Sequence, residues 1–374
     1  YIHVVEVKSS TGIKEIYLMD SAIQYSVMAG AGFTPDKISL AHINNKFVYQ
    51  GDSNYDDLFK VVDLTSDISE RAEQVPDWIE AANKTIAGDL PKIEVGEHCT
   101  KPYSCPFIKH CWKDIPVIEY PITKFPGLKK SKVTELIKIG YEDIRDIPDG
   151  LLGDDTLQTR LNAYRTGEKL IPDELRNKLA QLKFPRYYLD FETIGFAVPK
   201  WSGTRPYEQL PFQWSCHIEN KSMAVSHTGF LDTSGNPPMQ SFSEALINAL
   251  GDSGPIIVYS TFEKTVLRNL QERYPEYRES LQSIIDRLFD LFQPIKTHYF
   301  HRDLQGSYSI KNVLPTVVPD LKYSNLLDVQ DGMMAQQAYL EIINVKTTQE
   351  RKRSLTDSLS KYCEMDTFAM VKLI

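Results

Sequence analysis

Asp190 and Glu192 stand two apart in the run Tyr-Tyr-Leu-Asp-Phe-Glu-Thr, and Tyr362 and Asp366 stand four apart in Tyr-Cys-Glu-Met-Asp. A strand sends alternate side chains to one face, and a helix brings residues four apart onto one face. Each pair is therefore expected to aim its groups the same way. Carboxylates grouped like this suit divalent metal ions, and two such ions roughly 3.5 to 4 Å apart can stabilise both the attacking and the leaving oxygen of a phosphodiester. Asp366 falls inside the apolar stripe Leu355, Leu359, Tyr362, Ala369, Met370 and Leu373. An acid on a core-facing stripe is costly unless a metal, or an Arg or Lys partner, meets it. A third acid, Glu263, opens a helix pattern directly after the strand pattern Ile-Ile-Val-Tyr, where the helix macrodipole alone could favour it. Asp290, in Arg-Leu-Phe-Asp-Leu-Phe, competes for the same role. Lys311, at the start of an apolar helix after Gly-Ser-Tyr-Ser, could meet a substrate phosphate or remain a solvated helix residue.

The N-terminal half holds a second set. Glu6 and Lys8 lie two apart on one strand face in Val-Val-Glu-Val-Lys-Ser-Ser, and a helix carrying Gln24 and Tyr25 follows. A carboxylate to bind metal beside an ammonium to position water is one half of a nuclease core, although the same three-residue pattern arises by chance on exposed strands. Further on, Cys99, Cys105 and Cys111 crowd into thirteen residues with prolines around them, with His98 and His110 beside the first and the last. Three thiols so close are hard to explain as core packing and point to metal ligation, for instance zinc held by the three cysteines with His98 or His110. Cys216 and Cys363 lie in apolar strand and helix contexts and read as buried small hydrophobes.

These groups need elements to position them. The 374 residues suffice for two or three domains. The pattern over 1–118 is an α/β unit, with a strand at the start, a helix over about 16–31, short strands in 36–66 and a helix over 67–87. Periodicity fails among the prolines and cysteines of 102–126, which marks a boundary. Residues 119–184, with helix patterns over 131–147 and 155–183, read as a helical connector. Residues 185–374 read as strands at 186–192, 211–218, 223–231 and 255–260, helices at 240–250 and 262–273, and a final helix from about 354. That order implies a mixed sheet flanked by helices. The fold class is therefore α/β throughout.

The net charge of −8 excludes a uniformly basic nucleic-acid coat but not a nuclease, whose carboxylates lower the total while local lysines meet phosphates. The basic stretches 124–132 and 350–354 read first as solvated surface. Five cysteines, an odd number, argue against a disulfide framework and for a reducing, cytoplasmic setting. No run approaches the roughly 18 apolar residues that span a bilayer, so no membrane association is expected. The chain starts at Tyr1 inside a strand pattern, so a segment upstream is expected.

Asp-Phe-Glu-Thr on a first strand, an acid after a strand-to-helix turn and Tyr-x-x-x-Asp on a late helix resemble the DnaQ-like 3′ to 5′ exonucleases of the ribonuclease H-like superfamily, in the branch with tyrosine before the last aspartate. The resemblance implies Asp190, Glu192 and Asp366 as metal ligands, Glu263 as the fourth acid and Tyr362 as the hydroxyl that orients the attacking water. That family usually has aspartate where Glu263 stands, a departure that puts this ligand in question. Residues 1–118 resemble the RecB-like nucleases, whose Gln on the following helix supports the site. That implies Glu6, Lys8 and Gln24 as site residues and an iron–sulfur cluster on Cys99, Cys105 and Cys111 with a fourth cysteine upstream. The aspartate that precedes the glutamate in that core is absent from these residues, so this first site is incomplete as given. The run Lys-Val-Thr-Glu-Leu-Ile-Lys-Ile-Gly-Tyr-Glu-Asp in the connector is similar to a helix-hairpin-helix, with a plain helical linker as the simpler reading. Together the pieces resemble a bacterial family of fusion proteins joining a RecB-like segment to a DnaQ-like exonuclease.

The expected function is a metal-dependent nuclease, a 3′ to 5′ exonuclease acting on single-stranded 3′ ends of DNA or RNA through two Mg²⁺ or Mn²⁺ ions. One rival is a nucleic-acid-binding or assembly module that has kept the fold and lost the chemistry. Another makes the N-terminal segment the main nuclease.

Overall fold

The computed structural model describes residues 1–321 and 329–374. The chain divides into two compact units, one of residues 1–116 and 195–208 and one of residues 117–194 and 209–374. No helix among the described residues is long and apolar enough to cross a membrane.

In the first unit β1 (His3–Lys8) pairs in parallel with β2 (Lys37–Ile43), and β2 pairs antiparallel with β3 (Phe59–Asp63). Between β1 and β2 runs α1 (Glu15–Gly30); α2 (Thr65–Ala72), α3 (Val75–Ala87) and the single turn α4 (Ile108–Cys111) follow β3. The helix expected over 67–87 is thus two helices, and Pro76 in the first turn of α3 accounts for the restart. Ala22, Ile38, Leu40, Leu64, Ile68 and Val75 form the core, with Val4 and Trp78 packed on it. Along β1 the usual alternation is inverted: Val5 and Val7 are 42% and 56% exposed, while Glu6 and Lys8 turn to the half-buried side. A strand that turns charge inward and valine outward departs from the rule that a sheet's covered face is apolar.

The second unit opens with α5 (Lys130–Lys138), α6 (Asp155–Thr166) and α7 (Asp173–Ala180). The expected helix over 155–183 is broken because Gly167, at φ 76°, ends α6 in the left-handed conformation, and Pro172 precedes α7. The segment has a core of its own: Tyr164 meets Tyr120, Phe125 and Phe300 edge-on amid Ile122, Leu136, Ile144 and Leu161.

A five-stranded mixed sheet comes next. It is built from β4 (Arg186–Ile194), β5 (Leu210–Glu219), β6 (Val225–Leu231), β7 (Ile256–Val258) and β8 (Leu288–Asp290), in the order β6-β5-β4-β7-β8. The β4–β5 and β5–β6 pairs are antiparallel, and β7 and β8 continue the sheet in parallel with β4. The helices are α8 (Met239–Ala249), α9 (Phe262–Arg273), α10 (Arg278–Asp286), α11 (Phe292–His298), α12 (Ile310–Val317), α13 (Gly332–Ile342) and α14 (Gln349–Leu373). Central β4 is covered on both faces, with Phe191 packed edge-on against Phe242 of α8 and α14 packed on the opposite side. Fold class is therefore mixed α/β in both units.

Candidate metal centre

Asp190 and Glu192 leave β4 on the face that α14 covers, beyond the Tyr187 and Tyr188 positions where β7 still pairs with β4. Immediately after Glu192 the β4–β5 register slips, a bulge of the kind that re-aims side chains at the end of a strand. Parallel β7 ends at Val258, and the chain turns through Ser260 into α9, which places Glu263 in the first turn of that helix. Ligand crevices in open α/β sheets lie at such carboxyl ends of parallel strands.

The long helix α14 is held over the sheet by polar ties as well as by Leu355, Leu359 and Met370. Gln213 of β5 donates to the carbonyl of Leu359 at 3.0 Å, and the Thr367 hydroxyl lies 2.8 Å from His217 Nδ1 and 3.0 Å from Ser215 Oγ. These ties fix the register at which Tyr362, Cys363 and Asp366 face β4. The result is a cavity of about 390 Å³ lined by Asp190, Glu192, Glu263 and Asp366 together with Lys311 and Tyr362, and walled by Phe262, Phe292 and Met370.

Burial acts on Asp190, Glu192 and Glu263 in the same direction, and neighbouring acids add to it. Burial, then the charges of Asp366, Glu192 and Glu263, pushes the Asp190 carboxyl well above the usual carboxylate range. Burial and Asp366 raise Glu192 to about 8, against a pull downward from Lys311. Burial raises Glu263 to about 7, although Ser260 donates to its Oε2 at 3.4 Å. Burial, then the three nearby carboxylates of Asp366, Glu192 and Asp190, keeps the Tyr362 phenol protonated. Several buried acids whose charges oppose one another are in the condition that a divalent cation relieves. The donor set, carboxylate oxygens with a phenol, is the hard-oxygen kind that suits Mg²⁺ or Mn²⁺. On these grounds the residues fit a divalent ion.

Cys363 is more than the buried apolar filler its context suggests. Its thiol is fully buried and points at Asp190 Oδ2, 3.6 Å away. Among the described residues, Asp190, Glu192 and Cys363 form the one group of three metal-capable side chains whose donor atoms lie within 4.8 Å of one another. Its position three residues before Asp366, on the same helical face, was the available sequence signal. Asp290 does not line the cavity; its carboxylate accepts the backbone N–H of Phe292 at 2.9 Å and so caps α11. Lys311, in the first turn of α12, donates to the Tyr362 hydroxyl at 3.0 Å and to the Gln330 carbonyl at 2.6 Å.

In the first unit Glu6, Lys8 and Gln24 meet. Gln24 Nε2 donates to Glu6 Oε2 at 3.0 Å, and Lys8 Nζ lies 2.7 Å from Glu6 Oε1. Asp20, which no motif in the sequence marks, lies 2.6 Å from Lys8 and raises its pKa first, with Glu6 second. Asp20 and Gln24 are four apart on α1, so one helix face supplies both. Cys99 is buried, Cys105 partly so and Cys111 exposed, and the Cys105 N–H donates to the Cys99 carbonyl at 2.8 Å. Among the described residues no three of these cysteines and their neighbouring histidines gather within 4.8 Å. A tetrahedral zinc ion with Zn–S near 2.3 Å would hold its sulfurs about 3.8 Å apart.

A family model described as a domain of unknown function, DUF2779, matches residues 187–309, a span that holds Asp190, Glu192 and Glu263. An uncharacterised protein, the MG366 homologue of Mycoplasma pneumoniae, is 28% identical over 225 residues, covering 54% of this chain and 33% of that protein. MG366 of Mycoplasma genitalium is 26% identical over the same shares. The uncharacterised protein UU173 of Ureaplasma parvum is 27% identical over 281 residues, or 67% of this chain and 39% of its own length. No solved structure matches the chain. The chain thus spans between a third and two fifths of the length of the curated relatives it matches, and it is similar to a DUF2779 domain over 187–309.

Proposed function

We propose that the second unit is a metal-dependent phosphodiesterase, a 3′ to 5′ exonuclease of the DnaQ-like, ribonuclease H-like kind acting on single-stranded DNA or RNA. The observation that carries the reading is the convergence of Asp190, Glu192, Glu263 and Asp366, from three distant stretches, on one cavity with Tyr362. When bound, Mg²⁺ or Mn²⁺ would neutralise these acids and stabilise charge on the attacking and leaving oxygens. The chain's own groups do the rest. Asp190, Glu192, Glu263 and Asp366 supply the oxygen donors. The Tyr362 phenol, protonated and buried, offers a hydrogen bond to the group that attacks phosphorus. Phe262 and Phe292 give the cavity an apolar wall on which a base can stack, a contact that tolerates any base.

The test is degradation of 3′-labelled single-stranded oligonucleotides by purified protein with Mn²⁺. Activity is expected to fall by at least about a hundredfold in Asp190→Ala, the scale at which removal of one transition-state contact is felt. Equal rates for the two proteins would sink the assignment.

A second reading, that the first unit is a RecB-like nuclease in its own right, is favoured by one observation: Glu6 and Lys8 share the half-buried face of β1, and Gln24 of α1 donates to Glu6. Cys99, Cys105 and Cys111 would then carry an iron–sulfur cluster. Zinc held by the three cysteines with His98 or His110 is the alternative occupant. Absorbance and metal content of anaerobically purified protein separate the two.

A further inference from the structure

We propose that Lys311 is a positioning residue for Tyr362, one that occupies the phenol oxygen and so turns the hydroxyl into an obligate donor toward the anionic occupant of the acidic cavity. The inference deepens the phosphodiesterase reading and rests on it. An ammonium carries three donors and no acceptor, so in the 3.0 Å contact between Lys311 Nζ and Tyr362 the phenol oxygen must accept. A phenol has one hydrogen, and with its oxygen engaged by Lys311 that hydrogen is directed elsewhere. Both side chains line the cavity that holds the four acids. The ammonium is set from two sides: it donates to the Gln330 carbonyl at 2.6 Å, and it stands 4.8 Å from the centroid of the Tyr362 ring. Contacts from α12, from the Gln330 carbonyl and from α14 therefore converge on the orientation of one hydroxyl. A lysine reserved for substrate phosphate has no need of the phenol contact.

The experiment uses the full chain with Lys311→Met, Lys311→Arg, Tyr362→Phe and the Lys311→Met/Tyr362→Phe double variant. Steady-state rates on a 3′-labelled oligonucleotide with Mn²⁺ form the first arm. Lys311→Met is expected to lose roughly tenfold or more in kcat with KM within about twofold, as befits an interaction made in the transition state. Lys311→Arg should recover much of that loss, and the double variant should be no slower than Tyr362→Phe. The second arm is ¹⁹F NMR of protein labelled with 3-fluorotyrosine, with the Tyr362 line assigned by its absence in Tyr362→Phe. That line is expected to move in Lys311→Met while the melting temperature and the Mn²⁺-induced thermal shift stay unchanged. A raised KM with unchanged kcat, adding in full to the Tyr362→Phe effect, would overturn the proposal in favour of a direct phosphate contact. An unmoved ¹⁹F line would overturn it as well. Should the wild-type chain degrade nothing, the nuclease reading fails, and the ¹⁹F arm still decides the Lys311–Tyr362 contact.

Discussion

Glu192 and Glu263 hold their protons more tightly in the folded chain than a free glutamate with pKa near 4.5, at about 8 and about 7, chiefly through burial. The metal-free native state therefore binds more protons than the unfolded chain between those values. The stability these groups contribute is complete below about pH 4.5 and is lost as pH rises through 7 and 8. His217 works from the other side. Burial, then His227, lowers it to about 4, so its contribution is lost as pH falls through that range. Melting temperature in EDTA should thus peak on the acid side of neutrality and decline toward pH 8.5, and Mn²⁺ should abolish the decline. A metal-free protein as stable at pH 8.5 as at pH 6 would refute the clustered-acid account. Asp190→Asn follows the same logic, since it removes one of the repelling charges. At pH 8 in EDTA it should melt roughly 2–6 °C higher than wild type while losing both the Mn²⁺-induced shift and nuclease activity.

Elements carry these residues into place, and how they do so was only partly legible beforehand. The strand at 186–192 and the final helix could be read because period-two and period-3.6 patterns survive in Tyr-Tyr-Leu-Asp-Phe-Glu and in the Leu355-to-Leu373 stripe. The short strand β8 and the cap role of Asp290 could not, because three residues carry no periodicity and a cap is defined by where the next helix starts. Nor could the contacts Asp20–Lys8, Cys363–Asp190 and Lys311–Tyr362, which join stretches 12, 173 and 51 residues apart. The register of α14 is the testable part. Thr367→Val keeps the shape but leaves His217 Nδ1 and Ser215 Oγ short of a buried partner, so urea denaturation should show a loss of about 1–3 kcal/mol. The turn into β7 is equally constrained. Gly254 sits at φ +91°, and a Cβ there would run into the Pro185 carbonyl oxygen. Gly254→Ala should cost more than about 2 kcal/mol, far above an exposed Gly→Ala change. A neutral result at either position would mean that α14 or β7 is held by something other than these contacts.

Across the molecule, each unit has its own hydrophobic core, Ile38, Leu40 and Ile68 in the first and Tyr188, Ile257 and Leu291 in the second, and each concentrates charge on an inward face. The two charged faces differ in kind. In the first unit an ammonium lies between two carboxylates, Glu6 and Asp20, so opposite charges offset one another without a metal. In the second, four carboxylates line one cavity with Lys311 among the described residues, and burial together with neighbouring acids raises the pKa of Asp190, a condition that a divalent cation would relieve. A ligand that binds only the native state stabilises the unit it binds by mass action, so divalent ions should distinguish the two. Scanning calorimetry of the full chain with increasing Mn²⁺ should raise the transition that Asp190→Asn alters. The transition that Lys8→Met lowers should stay in place, because removing Lys8 leaves Glu6 and Asp20 without their shared cation. Were Mn²⁺ to move the Lys8-sensitive transition and leave the other fixed, the first unit would be the metal site and the assignment of the nuclease to β4 and α14 would fall.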